Sequence, residues 1–406
     1  MDPVAQLLVI VAGLLLIGAL GEFIFSRTGI PDVVWLVLAG IIAGPVFRLV
    51  SPEVLRPAVP FFGTIALTII LSGGASRLRL AEVAAAAPRA LLLSLVGFVF
   101  SLGSIYAYLW LLTELEFIQP VSPLLWLTAG AMVGGNSALI LMPTLAGGNA
   151  DARVSRLVEV ESSGTDAFCI VITMVLIDLM VTGSTDLARP FVALGRELGF
   201  GILFGVIATA VLVPFIPVLR DKPHGYTVAI SAALILYALT HLANGNGAMA
   251  VVTASLLLGN ASTIVPKVIP GARPEEFVTT EVGKIMQDQI AFLIKSFFFV
   301  LIGLLFPTSP RLMILGSIAA LVLLLFRIPA VKLATWNLGL TRKQIWMLNI
   351  SIPRGLGTGV LSTIPIEYGI AGSGNLSRAV FALIVASILI FTVGFSVVAR
   401  LSDNPK

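Results

Sequence analysis

Long apolar runs separated by short polar stretches repeat along almost the whole chain. They fall at 4–25, 33–47, 59–71, 90–112, 123–145, 154–177, 191–218, 226–242, 248–260, 285–306, 312–336, 345–366 and 376–399. A helix needs roughly 20 residues to cross a hydrocarbon core about 30 Å thick. The pattern therefore predicts an all-α polytopic membrane protein with about thirteen transmembrane helices. Two of the runs carry residues that a continuous helix does not tolerate. The fifth holds Gly134-Gly135-Asn136-Ser137 and Pro143, and the twelfth holds Pro353-Arg354-Gly355, Gly357-Thr358-Gly359 and Pro365. Proline removes a donor and clashes with the preceding turn. Unwound backbone at membrane depth persists only where protein buries it or where it lines a cavity.

Broken helices at corresponding places in two halves point to a transporter's binding site. Here the count makes them correspond. Segments one to six and eight to thirteen form two six-helix units, and the single seventh segment between them inverts the second. The expected fold is two inverted six-helix repeats with crossed discontinuous helices 5 and 12. It is one transmembrane domain over 1–406, with a first repeat at 1–182, a linker helix at 183–224 and a second repeat at 225–406.

Composition narrows the class. Of 406 residues 58% are hydrophobic and 11% charged, against about 25% charged in a soluble domain. The net charge of +4 carries no nucleic-acid signal. The basic residues cluster in alternate loops, at Arg77 and Arg79, Arg153 and Arg156, Arg220 and Lys222, Lys267, Arg273 and Lys284, and Arg342 and Lys343. The positive-inside rule then places the N-terminus outside and the C-terminus in the cytoplasm. The first apolar run follows Met-Asp-Pro with no basic residue, so it is expected to be a retained helix. The single cysteine, Cys169, lies within an apolar run, so no disulfide framework is expected.

Against this background Asp166 stands out. Counted from Val154, it lies about 18 Å along its helix at 1.5 Å per residue, near the middle of a bilayer. An acid there is costly and marks an ion path or a proton relay. Asn136 lies about 20 Å and Arg354 roughly 15–18 Å into their own segments, so the breaks and the acid share a depth. Ser162, four residues before Asp166, shares its face. Glu161 is offset by about 140° and needs another partner, since a lone buried carboxylate must neutralise or pair. Arg354 is the arginine expected to pair with it, as a structural ion pair. Arg327, beside Pro329, either opposes the half-helix dipoles or pairs with an acid elsewhere. Asp166 is then left as the carboxylate able to cycle. With the Ser162 or Thr165 hydroxyl and the freed groups around Asn136 and Ser137, it offers oxygen ligands to a hard monovalent cation, and a proton competes for the same oxygens.

These residues resemble the monovalent cation/proton antiporter superfamily, most closely its NhaP-like sodium/proton antiporters. The resemblance rests on Glu161-Ser162-Ser163-Gly164-Thr165-Asp166, similar to the family's Glu-Ser-x-x-Asn-Asp helix. It rests also on Pro353-Arg354-Gly355, the run Phe297 to Gly303 and Ser72-Gly73-Gly74. It implies exchange of sodium, potassium or lithium for protons in a prokaryotic inner membrane, a homodimer, ion binding at Asp166 with Ser162, and no cofactor or enzymatic chemistry. Thr165 stands where the family usually has Asn, and Asn136-Ser137-Ala138 where it has Thr-Asp-Pro. One free acid favours electroneutral exchange. The rival readings are a potassium/proton antiporter and a sodium-coupled solute symporter. An intramembrane aspartyl protease needs two facing aspartates, and Asp178 and Asp288 lie near the ends of their segments.

Overall fold

Helix ends and breaks fall where the sequence supplies the groups to satisfy them. The computed structural model describes residues 31–48, 79–147, 151–183, 188–219, 224–269, 273–277 and 281–400, with position 222 and single positions between 12 and 23 and between 64 and 76. The expected segments at 4–25 and 59–71 lie almost wholly outside these residues. The long elements, in chain order, are α1 (Asp32–Ile41), α2 (Leu80–Glu114), α3 (Pro123–Met132), α4 (Ala138–Gly147), α5 (Ala152–Thr182), α6 (Ala188–Leu212), α7 (Gly225–Leu242), α8 (Gly247–Gly259), α9 (Ala261–Val268), α10 (Glu281–Leu304), α11 (Pro310–Ala334), α12 (Arg342–Ile350), α13 (Leu356–Glu367) and α14 (Ser373–Ala399). Six spans among the described residues are long and apolar enough to cross a membrane, or seven if α8 and α9 count as one bent span. The regular elements among the described residues are all helical.

Both expected breaks are present. Helix 5 divides into α3 and α4 around residues 133–137, and helix 12 into α12 and α13 around 351–355. The capping is local chemistry. Ser122 accepts the Leu124 N–H at the start of α3. Thr341 and Gln344 form a reciprocal capping box at the start of α12, with bonds of 3.3 and 2.8 Å. Asp151 accepts the Arg153 N–H at 2.7 Å and opens α5. Gly183, at φ +63°, closes it.

The chain forms two compact units. The first comprises Met1–Gly63, Ala86–Thr185 and Ser296–Lys406. Within it α5 packs against all four half-helices, α3, α4, α12 and α13. A single helix is thus held by both breaks at once. α14 lies against α11, α12 and α13. The close approach of α1 to the end of α10 depends on glycine. A Cβ on Gly40 would come 2.8 Å from the Cα of Gly303, and one on Gly303 equally close to Gly40. Small residues let helices approach in a membrane, where packing rather than water expulsion joins them.

The second unit comprises Thr64–Ala85 and Asp186–Lys295. In it α8 packs on α6 and α7. α8 turns into α9 through a 74° bend, a break the apolar pattern did not reveal. Asn260 stabilises the bend by accepting the Leu80 N–H at 2.9 Å and donating to the Leu256 carbonyl at 2.8 Å.

Candidate functional site

The site is built on α5, which presents Glu161, Ser162, Thr165, Asp166 and Cys169. α2 fixes one flank of α5. Ser94 Oγ donates to the Glu161 carbonyl at 3.2 Å, and Phe98 packs on Phe168 with ring centroids 5.7 Å apart.

Ser162 ties α5 to the first break. Its hydroxyl donates to the Asn136 carbonyl at 2.8 Å and accepts the Ala138 N–H at 2.9 Å. One side chain thereby meets an orphaned carbonyl after α3 and an orphaned amide at the start of α4, groups that helix ends leave without partners. One lone pair of the hydroxyl is left over. Thr165 is buried. It donates to the Ser162 carbonyl at 3.0 Å and lies 3.4 Å from Asn136 Oδ1. Asn136 also donates to the Ser351 carbonyl at 3.5 Å. The breaks are joined directly, since the Ser137 N–H donates to the Pro353 carbonyl at 2.9 Å.

The joint requires Gly355. A Cβ there would stand 2.7 Å from Ser137 Cβ and closer still to its hydroxyl. Gly355→Ala is therefore expected to push the breaks apart. The loss expected is roughly 1–3 kcal/mol, as for other overpacked cores. Thermal denaturation in detergent reads it, and a wild-type value would mean that the crossing can shift freely.

Asp166 is half-buried, and its carboxylate faces main chain from both breaks. A Cβ on Gly135 would lie 3.3 Å from Asp166 Oδ1, and one on Gly357 3.8 Å. The same Cβ on Gly135 would lie 3.1 Å from Cys169 Sγ and 3.4 Å from Thr165 Oγ1. The space beside the carboxylate is thus bounded by backbone, a hydroxyl and a thiol, and any side chain at 135 would intrude on it.

The expected pair of Glu161 with Arg354 is not formed. Glu161 is fully buried and pairs with Arg327, through Nη1 to Oε1 and through Nη2 to Oε2 at 2.8 Å. Arg327 Nε donates to the Leu348 carbonyl at 3.1 Å. The reason is geometric. A planar guanidinium fork fits a carboxylate with two bonds, and Arg327, in the continuous helix α11, has its third direction free for the last turn of α12. There its charge opposes the negative end of the half-helix dipole. Arg354 is also buried. Its own N–H donates to Ser387 Oγ at 3.0 Å, and its Nη2 to Ser101 Oγ at 3.5 Å.

The structure thus brings Asp166, Ser162, Thr165, Asn136 and Ser137 together. The sequence reading missed Gly135, Gly357 and Cys169. Cys169 was detectable, since it lies one turn after Asp166 on the same face. Among the described residues no group of three or more His, Cys, Asp or Glu side chains gathers as a metal site. The donors present are oxygens of one carboxylate, hydroxyls and main chain, which suit hard cations.

Two broken helices crossing beside a membrane-embedded carboxylate define a secondary transporter architecture. The chain belongs to the sodium/hydrogen exchanger transmembrane family, whose match covers residues 11–401. It is 25% identical over 390 residues to the K(+)/H(+) antiporter NhaP2 of Shewanella oneidensis, covering 93% of this chain and 63% of that protein. It is 25% identical over 256 residues to the Na(+)/H(+) antiporter 1 of Methanocaldococcus jannaschii, covering 61% of this chain and 58% of that one. The chain therefore spans somewhat under two thirds of the length of these curated relatives. The fold matches the structure of the sodium proton antiporter MjNhaP1 from Methanocaldococcus jannaschii at pH 8. The TM-score is 0.77 at 21% identity, with 97% of this chain and 98% of that one covered.

Proposed function

We propose that this protein exchanges a monovalent cation for protons across a membrane, one for one, by competition at Asp166. The observation that carries the reading is the division of labour between two acids on one helix. Glu161 is neutralised by Arg327, whereas Asp166 faces the main chain of both breaks. A carboxylate so placed can hold either a proton or a cation, and the two exclude each other. Ser162, Thr165, Asn136 and Ser137 complete the cation site, through hydroxyl and amide oxygens and by shaping the unwound backbone. One exchanging acid carries one charge in each direction, so the cycle is electroneutral. The protein sits in a prokaryotic inner membrane as a homodimer, with its N-terminus outside and C-terminus in the cytoplasm.

Sodium is the first candidate for the cation. Potassium is the second, favoured by the name of the Shewanella relative. Proteoliposomes with an acid interior and an internal pH dye test the reading. Addition of sodium, potassium or lithium outside should alkalinise the interior, and the ion active at lowest concentration is the substrate. The rate should be the same with the membrane potential clamped. Absence of cation-dependent proton movement from folded protein would sink the exchange reading. Solute uptake driven by sodium would replace it with a symporter.

A further inference from the structure

The buried charges around α5 do not pair evenly. Both oxygens of Glu161 are engaged by Arg327. Arg354 is only 2% exposed, yet the 3.5 Å contact to Ser101 Oγ is long for a hydrogen bond, and Nε has no hydrogen-bond partner among the described residues. A guanidinium carries five donors, and a buried donor left unmet is costly, more so when charged. This cation is therefore held in place by the surrounding fold and not by an ion pair of its own.

Its position determines what it acts on. Arg354 follows Pro353, whose carbonyl holds the Ser137 N–H. It precedes by three residues Gly357, where a Cβ would lie 3.8 Å from Asp166 Oδ1. Asp166, Glu161, Arg327 and Cys169 are all within electrostatic reach of its guanidinium. With Glu161 committed to Arg327, the charge left to balance Arg354 in this group is that of Asp166.

Building on the exchange reading of Asp166, we propose that Arg354 is the internal counter-charge of that carboxylate. It neutralises Asp166 when the site is empty and repels any cation that loads there. The four charged groups sum to zero in the empty site and to +1 in the loaded one. Arg354 thus weakens cation binding and hastens release, and it spares the empty site from holding an uncompensated anion. It is a positioning and affinity-setting residue, not a ligand.

The test compares wild type with Arg354→Gln, Arg354→Lys, Ser101→Asp and Ser101→Asn. Affinity is read as KM for sodium at alkaline pH, where protons compete least, and as sodium binding by calorimetry in detergent. Removal of a unit charge within about 10 Å of the site, at the effective dielectric of a protein interior, should tighten binding by at least about tenfold. Arg354→Gln is expected to lower KM by about that factor and to slow turnover, since release becomes harder. Arg354→Lys keeps the charge and most of the wild-type KM. Ser101→Asp sets a carboxylate against Nη2 and should lower KM with the arginine still present, whereas Ser101→Asn should not. If Arg354→Gln does not fold, the two Ser101 variants decide the matter. Unchanged affinity in Ser101→Asp, or equal tightening by Arg354→Lys and Arg354→Gln, would overturn the proposal. Wild type that binds sodium but moves no protons would refute the exchange reading alone, and calorimetry would still decide the counter-charge.

Discussion

Reconstituted Asp166→Asn protein is expected to move no protons in response to sodium, potassium or lithium, at a rate indistinguishable from empty liposomes. The amide has nearly the shape of the carboxylate and should preserve the packing beside Gly135 and Gly357. It can neither release a proton nor offer a negative charge to a cation. Both half-reactions fail together, and folding does not. Asp166→Glu supplies the complement. The charge stays, but the extra methylene drives the carboxylate toward main chain at Gly135, where a Cβ would already stand 3.3 Å from Oδ1. A displacement of about 1 Å at a reacting centre can cost on the order of 100-fold, so Asp166→Glu should retain a small, measurable flux. Full activity in Asp166→Asn would move the exchange site elsewhere. Equal loss in both variants, with unfolding, would make Asp166 a structural residue.

Glu161→Gln should be the most destabilising single substitution in the unit that holds the site. Removal of one partner of a buried ion pair typically costs about 3–5 kcal/mol, and here the loss is compounded. Glu161 lies near two guanidiniums, since Arg327 and Arg354 are close enough to repel each other. Without the acid, two buried cations face one carboxylate. Arg327→Gln is milder, because Arg354 is at hand to turn toward Glu161, and Asp166, left without a counter-charge, can take up a proton and become neutral. Thermal denaturation in detergent should place Glu161→Gln well below Arg327→Gln, with a drop on the order of 10 °C for the former. A larger loss in Arg327→Gln would mean that Arg354 cannot reach the acid and that the Leu348 contact of Arg327 dominates.

These two carboxylates also show how far the sequence could be read. Their unequal surroundings were legible, because helical spacing sends positions five apart in different directions and so demands separate partners. The breaks were legible too. Gly134-Gly135-Asn136-Ser137 and Pro353-Arg354-Gly355 cannot continue a helix, and counting segments placed them at matching positions. The partner of Glu161 was not legible. Depth alone favoured Arg354, and depth does not say which way a guanidinium points. Arg327 reaches Glu161 because α11 packs on α12, a tertiary fact with no local signature. Ser162 was assigned to the face of Asp166 by spacing. That the same hydroxyl would be occupied by Asn136 and Ala138 depends on how the first break folds back on α5. The bend at Asn260 escaped for a similar reason, because what stabilises it is the Leu80 amide 180 residues away.

The glycines beside Asp166 have a consequence for how ion preference could change. The wall facing the carboxylate is peptide backbone at Gly135 and Gly357. A side chain at Gly135 obstructs the site before it can retune it, so a saturation library at that position should yield mostly dead variants and few with altered selectivity. Ion choice would instead drift through residues behind the wall, such as Phe98 against Gly134, which set the curvature of the peptide planes without touching the ion. Replacement of single amides by esters, which leaves every side chain in place, is the form of chemistry suited to interrogating such a surface.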